Sequence, residues 1–346
     1  MSQPTTNSIL VIGAGELGTA VLEALAKHPE LSSGGGNTTT LSVMIRASSL
    51  DGATTDPAKK RHNAYLRDNL GVSGFVPGDI GHDTVETLAA AFRPFDTIIC
   101  CAGFGDAFPA GTQLKISRAV IQAATTAAKD SGRKKRYFPW QWGMDYDAIG
   151  TGSAQDLFDE QLQVRALLRG EDDDTSAEAK AAVKTAVDWV IVSTALFMSF
   201  LFRADFGVVD LPARTVRCLG DWATEISVTT PRDIGVMAAE IALRPRGIAN
   251  QVVYVAGDTV SYARVAELVQ ERLSSSSSGA TEIRKEAWDR EFLRRELAKK
   301  PGDVMLKYRG CFSEGRGVAF DMDKTVNKQR GIVLQDVRSY LKEMEI

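Results

Sequence analysis

The chain has 346 residues, of which 44% are hydrophobic and 25% are charged, and its formal net charge at pH 7 is -3. This composition is typical of a globular protein and excludes a chain too polar to fold, while the small net charge gives no reason to expect a nucleic-acid partner. No run of 18 apolar residues occurs, and the first seven residues lack the layout of a secretory signal. We therefore expect a cytoplasmic protein without a membrane segment.

Cysteine and histidine usage gives little support to a metal site. Cys100 and Cys101 are adjacent and the other two cysteines are distant in sequence, so we expect reduced, buried thiols and predict no bound metal. All three histidines lie in the first quarter of the chain, and neither HExxH nor GxSxG is present. Metalloprotease and serine-hydrolase functions therefore lack their usual motifs.

Short apolar runs alternate with helical patterns through the first 200 residues. The pattern predicts strands at 8–12, 41–46, 74–77, 96–101, 136–138 and 188–193, and helices at 16–27, 57–69, 84–92, 113–130 and 155–169. Such alternation is typical of βαβ units. We therefore predict the α/β class, with a doubly wound, mostly parallel Rossmann sheet and a smaller C-terminal lobe.

A GxGxxG motif joins the first predicted strand to the first predicted helix. Gly13 permits a tight turn, Gly15 lets the backbone approach a diphosphate, and Gly18 allows close packing of helix and strand. The helix N-terminus adds amide donors for an anion. We predict that a dinucleotide binds here, at these glycines together with Glu16 and Leu17.

Arg46 ends the second predicted strand, where NAD-binding proteins usually place an acidic residue and NADP-binding proteins a cation. Lys60 lies in a basic cluster further along the chain. The fourth predicted strand is followed by Ala102, Gly103 and Phe104. The small residues of this segment would leave room for a cofactor. The pattern favours NADPH, and an ordinary solvated arginine at position 46 is the alternative.

With these features the chain resembles the NmrA-like and isoflavone-reductase-like family of atypical short-chain dehydrogenases. The resemblance rests on the glycine turn, Arg46, the segment 137–143 (YFPWQWG), the helix segment 163–166 (QVRA) and the segment 230–235 (TPRDIG). It implies a Rossmann domain that binds NADPH and, by analogy with the family's reductases, hydride transfer to a small molecule.

Three departures from the family pattern affect the expected chemistry. The glycine turn is one residue shorter than the family's GxxGxxG, and Trp140-Gln141-Trp142-Gly143 replaces a Ser-Glu-Phe-Gly stretch. Gln161 stands where the family's reductases have a catalytic lysine. A glutamine cannot deliver a proton as an ammonium group does, although it could orient a carbonyl, an imine or the nicotinamide ribose.

Gln161 shares an apolar helical stripe with Leu157, Val164 and Leu168, so we expect it to point inward. A glutamine bonded only to neighbouring backbone is the alternative interpretation.

Because a glutamine replaces the lysine, carbonyl reduction would need another acid, and Tyr146 and Asp145 are the nearest candidates. A protonated iminium substrate would need no acid.

The aromatic loop after the fifth strand is predicted to form the ligand pocket, because ligands bind at the carboxyl ends of parallel strands. We expect Trp140 to touch the cofactor, and Gln141, Trp142 and Met144 to touch a planar or cationic substrate. Phe197 and Met198, after the sixth strand, would form the opposing wall. Simple core packing of these residues is the alternative.

The pattern changes after residue 200, with short strands at 208–209 and 215–218, a helix at 231–243, a strand at 251–255 and a helix from Ser261. Thr175 and Glu178 are spaced as a capping box of an added surface helix. We predict an NADP(H)-binding Rossmann domain at 1–200, with 228–270 packing back onto it. A smaller substrate-binding lobe would comprise 201–227 and 271–346.

The function expected from these observations is an NADPH-dependent reductase acting on a C=O or C=N bond of a small, aromatic or cyclic-imine molecule resembling a secondary metabolite. A non-catalytic, NADP(H)-sensing regulatory protein of the NmrA type is the alternative from another class, and a non-redox isomerase using the same pocket is a third. We expect a monomer or homodimer.

Overall fold

The computed structural model describes residues 7–32, 39–103, 109–172, 176–276 and 282–345, and Phe104 lies outside them. The strands of this part are β1 Asn7–Ile12, β2 Thr39–Ile45, β3 Val72–Pro77, β4 Thr97–Cys100, β5 Lys135–Phe138, β6 Val187–Ser193, β7 Leu196–Phe197, β8 Val209–Asp210, β9 Thr215–Leu219, β10 Glu225–Thr229, β11 Gln251–Tyr254, β12 Asp258–Ser261 and β13 Arg284–Trp288.

The helices of the described part are α1 Glu16–Lys27, α2 Pro29–Ser32, α3 Pro57–Asp68, α4 Val85–Phe92, α5 Thr112–Ser131, α6 Tyr146–Ile149, α7 Leu157–Arg169, α8 Ala177–Ala186, α9 Met198–Leu201, α10 Pro231–Leu243, α11 Tyr262–Ser276, α12 Arg290–Lys299, α13 Val304–Ser313, α14 Val326–Gln329 and α15 Val337–Glu343. Among the residues described, no helix is both long and apolar enough to cross a lipid bilayer.

Seven strands form the central sheet, in the order β11-β6-β5-β4-β1-β2-β3. The pairings of β1 with β2 and β4, of β2 with β3, and of β5 with β4 and β6 are all parallel. The predicted doubly wound, mostly parallel α/β sheet is confirmed. The strand order reverses between β1 and β4, and such a reversal opens a crevice at the carboxyl ends of the two strands.

The elements of the first 200 residues follow the prediction closely, because each strand is a short apolar run and each helix carries one buried stripe. Helix α1 begins and ends at the predicted residues, and the other predicted boundaries differ by at most two residues. The predicted cap of α8 is wrong by one residue. Ser176 is its N-cap and accepts a bond from the Ala179 amide at 3.3 Å, while Thr175 lies outside the described residues.

The chain divides into two compact units. The first comprises residues 1–141, 163–191 and 234–252, and the second comprises residues 142–162, 192–233 and 253–346. The core of the first unit joins β1, β4 and β5 to α4, α5 and α7 through residues such as Ile98, Ile116 and Val164, all at most 1% exposed.

The second unit has its own apolar core and two three-stranded sheets, ordered β12-β10-β7 and β13-β9-β8. Strands β9 and β13 pair in parallel although about 70 residues separate them, and β10 and β12 form an antiparallel pair. Leu219, Ile226 and Phe312 are fully buried in this core. The prediction that this lobe selects the substrate stays a prediction.

Candidate cofactor and substrate site

The glycine turn after β1 is packed so tightly that two of its glycines have no room for a side chain. Gly13 has a φ of +89°, and a Cβ built on it would lie 2.8 Å from the Cβ of Ala102, which follows β4. A Cβ on Gly18 would lie 2.0 Å from the Gly13 carbonyl oxygen. The turn therefore lies against the end of β4, where the strand order reverses.

Gly15 has the opposite environment. It is exposed, has an ordinary φ of -77°, and a Cβ built on it would meet no atom of the described residues within 4 Å. Gly15 is the N-cap of α1 and offers no side chain to bond the first amides of the helix. Open space above uncapped helical amides fits the diphosphate of a dinucleotide. Next to it, Glu16 is exposed and Leu17 is buried.

His62 of α3 contacts the glycine turn, although no sequence motif includes it. Its Nε2 lies 3.0 Å from the Ala14 carbonyl oxygen and 3.4 Å from Thr19 Oγ1, so it ties α3 to the turn. Because the carbonyl can only accept, the bond to Ala14 requires a proton on Nε2. A histidine inside a basic helix gives no motif, and only the folded packing of α3 reveals this contact.

Arg46 follows β2 and is exposed, and within the described ranges no carboxylate lies within 4 Å of its guanidinium. Lys60 is exposed on α3. It faces Asp51, whose carboxyl pKa is held below its usual range by hydrogen bonds from Asn63 and Arg67, with a smaller contribution from the charge of Lys60. The cofactor-binding roles of Arg46 and Lys60 stay predictions.

The segment after β4 carries a second glycine that admits no side chain. A Cβ on Gly103 would lie 2.6 Å from the indole of Trp140 and 2.5 Å from Gln113 Nε2. The buried Gln113 donates from Nε2 to the Ala102 carbonyl oxygen at 3.2 Å. Trp140, half-buried after β5, thus packs on the backbone that follows β4. Sequence analysis missed Gln113 because a glutamine in the first turn of a helix is an ordinary residue.

Gln141, predicted to touch substrate, is fully buried. Its Oε1 accepts a hydrogen bond from Nε of the equally buried Arg165 at 2.9 Å. The bond joins the loop after β5 to α7 and accounts for part of the polar requirement of a buried guanidinium. Both residues belong to the segments that carry the family resemblance, and a direct contact of Gln141 with substrate stays a prediction.

In the second unit, Trp142 and Met144 are 3% exposed, and the carbonyl oxygen of Gly143 accepts from the amides of Thr194 and Ala195 at 2.9 and 2.8 Å. The Thr194 hydroxyl is fully buried, and it has no hydrogen-bond partner within the described chain. A buried hydroxyl without a partner costs about 1–3 kcal/mol, so this atom is a candidate for bonding a ligand.

Asp145 and Tyr146 are in different environments although they are adjacent. Asp145 is half-buried, and its Oδ2 accepts a hydrogen bond from the Tyr254 hydroxyl at 2.7 Å. Tyr146 is 2% exposed and packs on Phe158, with 5.0 Å between ring centroids. Burial, and to a smaller extent the neighbouring Tyr146, raise the pKa of Tyr308 well above its usual range.

The remaining predicted residues are largely enclosed. Gln161 is fully buried on α7, as its stripe predicted. Met198 is fully buried in the core of the second unit, whereas Phe197 is half-buried at the end of β7. The catalytic and substrate-binding roles of these residues stay predictions. Within the described ranges no group of three metal-ligating side chains occurs.

The family model described as the NmrA-like family matches residues 5–279. An NmrA-like family domain-containing oxidoreductase of Gibberella moniliformis is 48% identical over 341 residues, covering 99% of each chain. The crystal structure of an isoflavone reductase, 20% identical, superposes with a TM-score of 0.70 over 98% of this chain and 99% of that one. The binary complex of leucoanthocyanidin reductase with NADPH from Vitis vinifera, 15% identical, gives 0.66 over 97% and 99%.

Proposed function

The chain belongs to the NmrA-like family, and we propose that it is an NADPH-dependent reductase that transfers hydride to a C=O or C=N bond of a small, aromatic or cyclic-imine molecule. One observation carries the proposal: Gly15 leaves open space in front of the uncapped amides of α1, with Arg46 exposed at the end of the neighbouring strand. The name of the 48% identical relative and the NADPH complex of the more distant reductase support it.

The residues of the turn would bind and orient the cofactor. The amides at the start of α1 would hold the diphosphate, and the Arg46 guanidinium would hold the 2′-phosphate by charge-assisted bonds. Trp140, fixed over Gly103, would limit where a planar ring can lie. The bound nicotinamide would supply the hydride. Holding donor and acceptor at reacting distance can contribute about 7–11 kcal/mol, which would make positioning the main catalytic effect.

The proton for a carbonyl substrate would come through the pair formed by Tyr254 and Asp145. The hydroxyl of Tyr254 donates to the Asp145 carboxylate at 2.7 Å, so to protonate a carbonyl oxygen the phenol would turn its hydrogen from this carboxylate to the substrate. This pair would take the place of the missing family lysine, because Gln161 carries no transferable proton of suitable acidity. Tyr254 escaped sequence analysis since no motif links it to position 145, more than 100 residues earlier.

A non-catalytic sensor of NADP(H) is the second candidate, and the buried Gln161 in place of the lysine favours it. To test the two functions, the purified full chain would be incubated with NADPH and a panel of cyclic imines, aryl ketones and aldehydes while nicotinamide absorbance is followed. Consumption of NADPH with at least one substrate is expected. Tight binding without consumption across the panel would contradict the reductase and support the sensor.

A further inference from the structure

A cleft of about 450 Å³ lies within the second unit, between the loop that follows α6 and the helices α12 and α13. Ser153 and Ser313 contribute polar groups, and Leu293 and Leu297 of α12 form an apolar wall. None of the residues assigned above to the cofactor or to the aromatic loop lines it. Its volume falls within the range of about 300–1,000 Å³ that is common for small-molecule pockets.

Three arginines and one carboxylate line this cleft, which gives it a local excess of positive charge in a chain of net charge -3. Arg294 pairs with Glu314 Oε1 at 2.8 Å, and Arg290 Nε lies 3.7 Å from Glu314 Oε2. Arg316 donates to the Ile149 carbonyl oxygen, and among the described residues no carboxylate lies within 4 Å of it. Glu314 therefore pairs with two of the three guanidinium groups.

Backbone carbonyls fix the position of two of these arginines. Arg290 donates from Nε to the Ser313 carbonyl oxygen at 3.0 Å and from Nη2 to the Glu314 carbonyl oxygen at 3.4 Å, and Arg316 is held by the loop after α6. Each guanidinium has five N–H donors, so one or two anchoring bonds leave donors for a ligand. The planar fork matches carboxylate and phosphate oxygens, and anchoring reduces the entropy lost when an anion binds.

From this arrangement we propose that the cleft is a binding site for a small organic oxyanion, with its carboxylate or phosphate bonded by Arg316 and Arg290 and its apolar part against Leu293 and Leu297. The anion would also relieve the repulsion among three neighbouring guanidinium groups. The site goes beyond the proposed reductase activity. Its test uses no cofactor, so either proposal can fail without the other.

Titration calorimetry on the full chain without nicotinamide would use phenyl phosphate and benzoate as probes, with inorganic phosphate and the neutral benzamide for comparison. We expect saturable binding of phenyl phosphate or benzoate, with inorganic phosphate or benzamide, respectively, binding at least about ten-fold more weakly. Arg316→Gln should weaken binding of the organic anion by a similar factor. The matched control is Arg264→Gln, which removes an exposed arginine of α11 that pairs with Glu267 of the same helix, outside the cleft. This variant should bind the organic anion as tightly as the parent does.

Glu314→Gln keeps the test decisive if Arg316→Gln fails to fold, because it removes the negative charge of the cleft and should tighten anion binding about three-fold or more. Four results would overturn the proposal. The first is no saturable binding of either organic anion, and the second is that benzamide binds as tightly as benzoate or inorganic phosphate as tightly as phenyl phosphate. The third is an equal loss of affinity in Arg316→Gln and Arg264→Gln, and the fourth is an unchanged affinity in Glu314→Gln.

Discussion

The glycines of the turn after β1 have two different reasons for being glycine, and the difference separates folding from binding. Gly18 and Gly13 lack a side chain because protein atoms occupy the space, at 2.0 and 2.8 Å from a built Cβ. At Gly15 no atom from the described part of the chain lies within 4 Å of a built Cβ, so we expect a side chain there to conflict with a ligand. The sequence motif predicted these roles, and the packing distances distinguish them.

Gly15→Val should abolish NADPH binding while leaving the free energy of unfolding nearly unchanged, because its side chain enters space that the protein leaves open. Gly18→Ala should instead destabilise the fold, since its Cβ would overlap the Gly13 carbonyl. Denaturant unfolding and calorimetric titration with NADPH would be measured on both variants. Full NADPH affinity in a folded Gly15→Val protein would remove the turn from the proposed site.

Arg46→Ala should weaken NADPH binding about ten- to hundred-fold and leave NADH binding nearly unaltered, because a bond to a charged phosphate is worth about 1.5–3 kcal/mol. The two dissociation constants would be measured side by side at one salt concentration. Arg93→Ala is the control, since this exposed arginine pairs with Asp130 at 2.9 Å and has no predicted cofactor role, and it should keep both affinities. Equal losses of both cofactors in Arg46→Ala would contradict the 2′-phosphate assignment.

Tyr254→Phe tests the proposed proton donor without disturbing the packing of the ring on Phe320, whose centroid lies 4.9 Å away. For a carbonyl substrate we expect kcat to fall about 100-fold with little change in KM, the lower range of general acid contributions. Reduction of a preformed iminium should proceed at the parent rate, because no proton is added. A parallel loss with both substrates would assign Tyr254 a purely structural part.

At the scale of helices and strands, local patterns were sufficient wherever an element buries one regular face. Helix α1 and helix α10 have the predicted bounds because each begins and ends at strong local signals, such as Pro231 in the first turn of α10. Strand β13 was missed, since its residues are mostly exposed and its partner β9 lies far away in sequence. Helices α12, α13 and α15 were also not predicted.

The contact between α1 and α10 is as close as backbone allows, and glycine makes it possible. A Cβ on Gly235 would lie 2.4 Å from the Ala20 carbonyl oxygen, and the buried pair of His28 Nε2 and Glu240 at 3.1 Å joins the same two regions. Sequence alone marked Gly235 only as part of the family segment, because close helix approach depends on tertiary packing.

Gly235→Ala should therefore lower the free energy of unfolding by about 1–3 kcal/mol, the usual cost of overpacking. Gly52→Ala is the matched control, because its Cβ would meet no atom within 4 Å in the ranges that the structure describes, and its backbone is not in the left-handed region. It should be neutral or slightly stabilising, by about 0.4–1 kcal/mol. Chemical denaturation of the two variants compares them, and equal stabilities would refute the close contact.

For the whole molecule, the sequence predicted the fold better than the site, and the reason is physical. The order of the parallel strands follows from βαβ units that each bury apolar faces locally. Within each unit, the contacts of candidate residues depend on pairs distant in sequence, such as His62 with Ala14 in the first and Tyr254 with Asp145 in the second, which no local pattern encodes. The arginine cleft likewise joins segments 149–154, 290–297 and 310–316, which are separate in the chain.

The stability of the whole chain at alkaline pH should contain two opposing contributions. Burial lowers the pKa of Lys135 from 10.5 to about 8, although its ammonium donates to the carbonyl oxygens of Arg93 and Phe95. Between these pH values the unfolded chain binds the proton that the folded chain has lost, so this lysine makes stability rise with pH. Burial raises the pKa of the Cys100 thiol from 9.0 to about 12, so its contribution is lost as pH rises through that window.

Comparison with Lys135→Met isolates the lysine, because both proteins keep Cys100. From about pH 8 to 10.5 the free energy of unfolding of the parent should rise relative to the variant by about 3 kcal/mol. Lys134→Met is the control for the loss of a neighbouring lysine, since that lysine is 41% exposed and paired with Asp188. Urea denaturation at closely spaced pH values would give the three curves. If the Lys135→Met curve runs parallel to that of the parent, the ammonium of Lys135 is not desolvated in the folded protein.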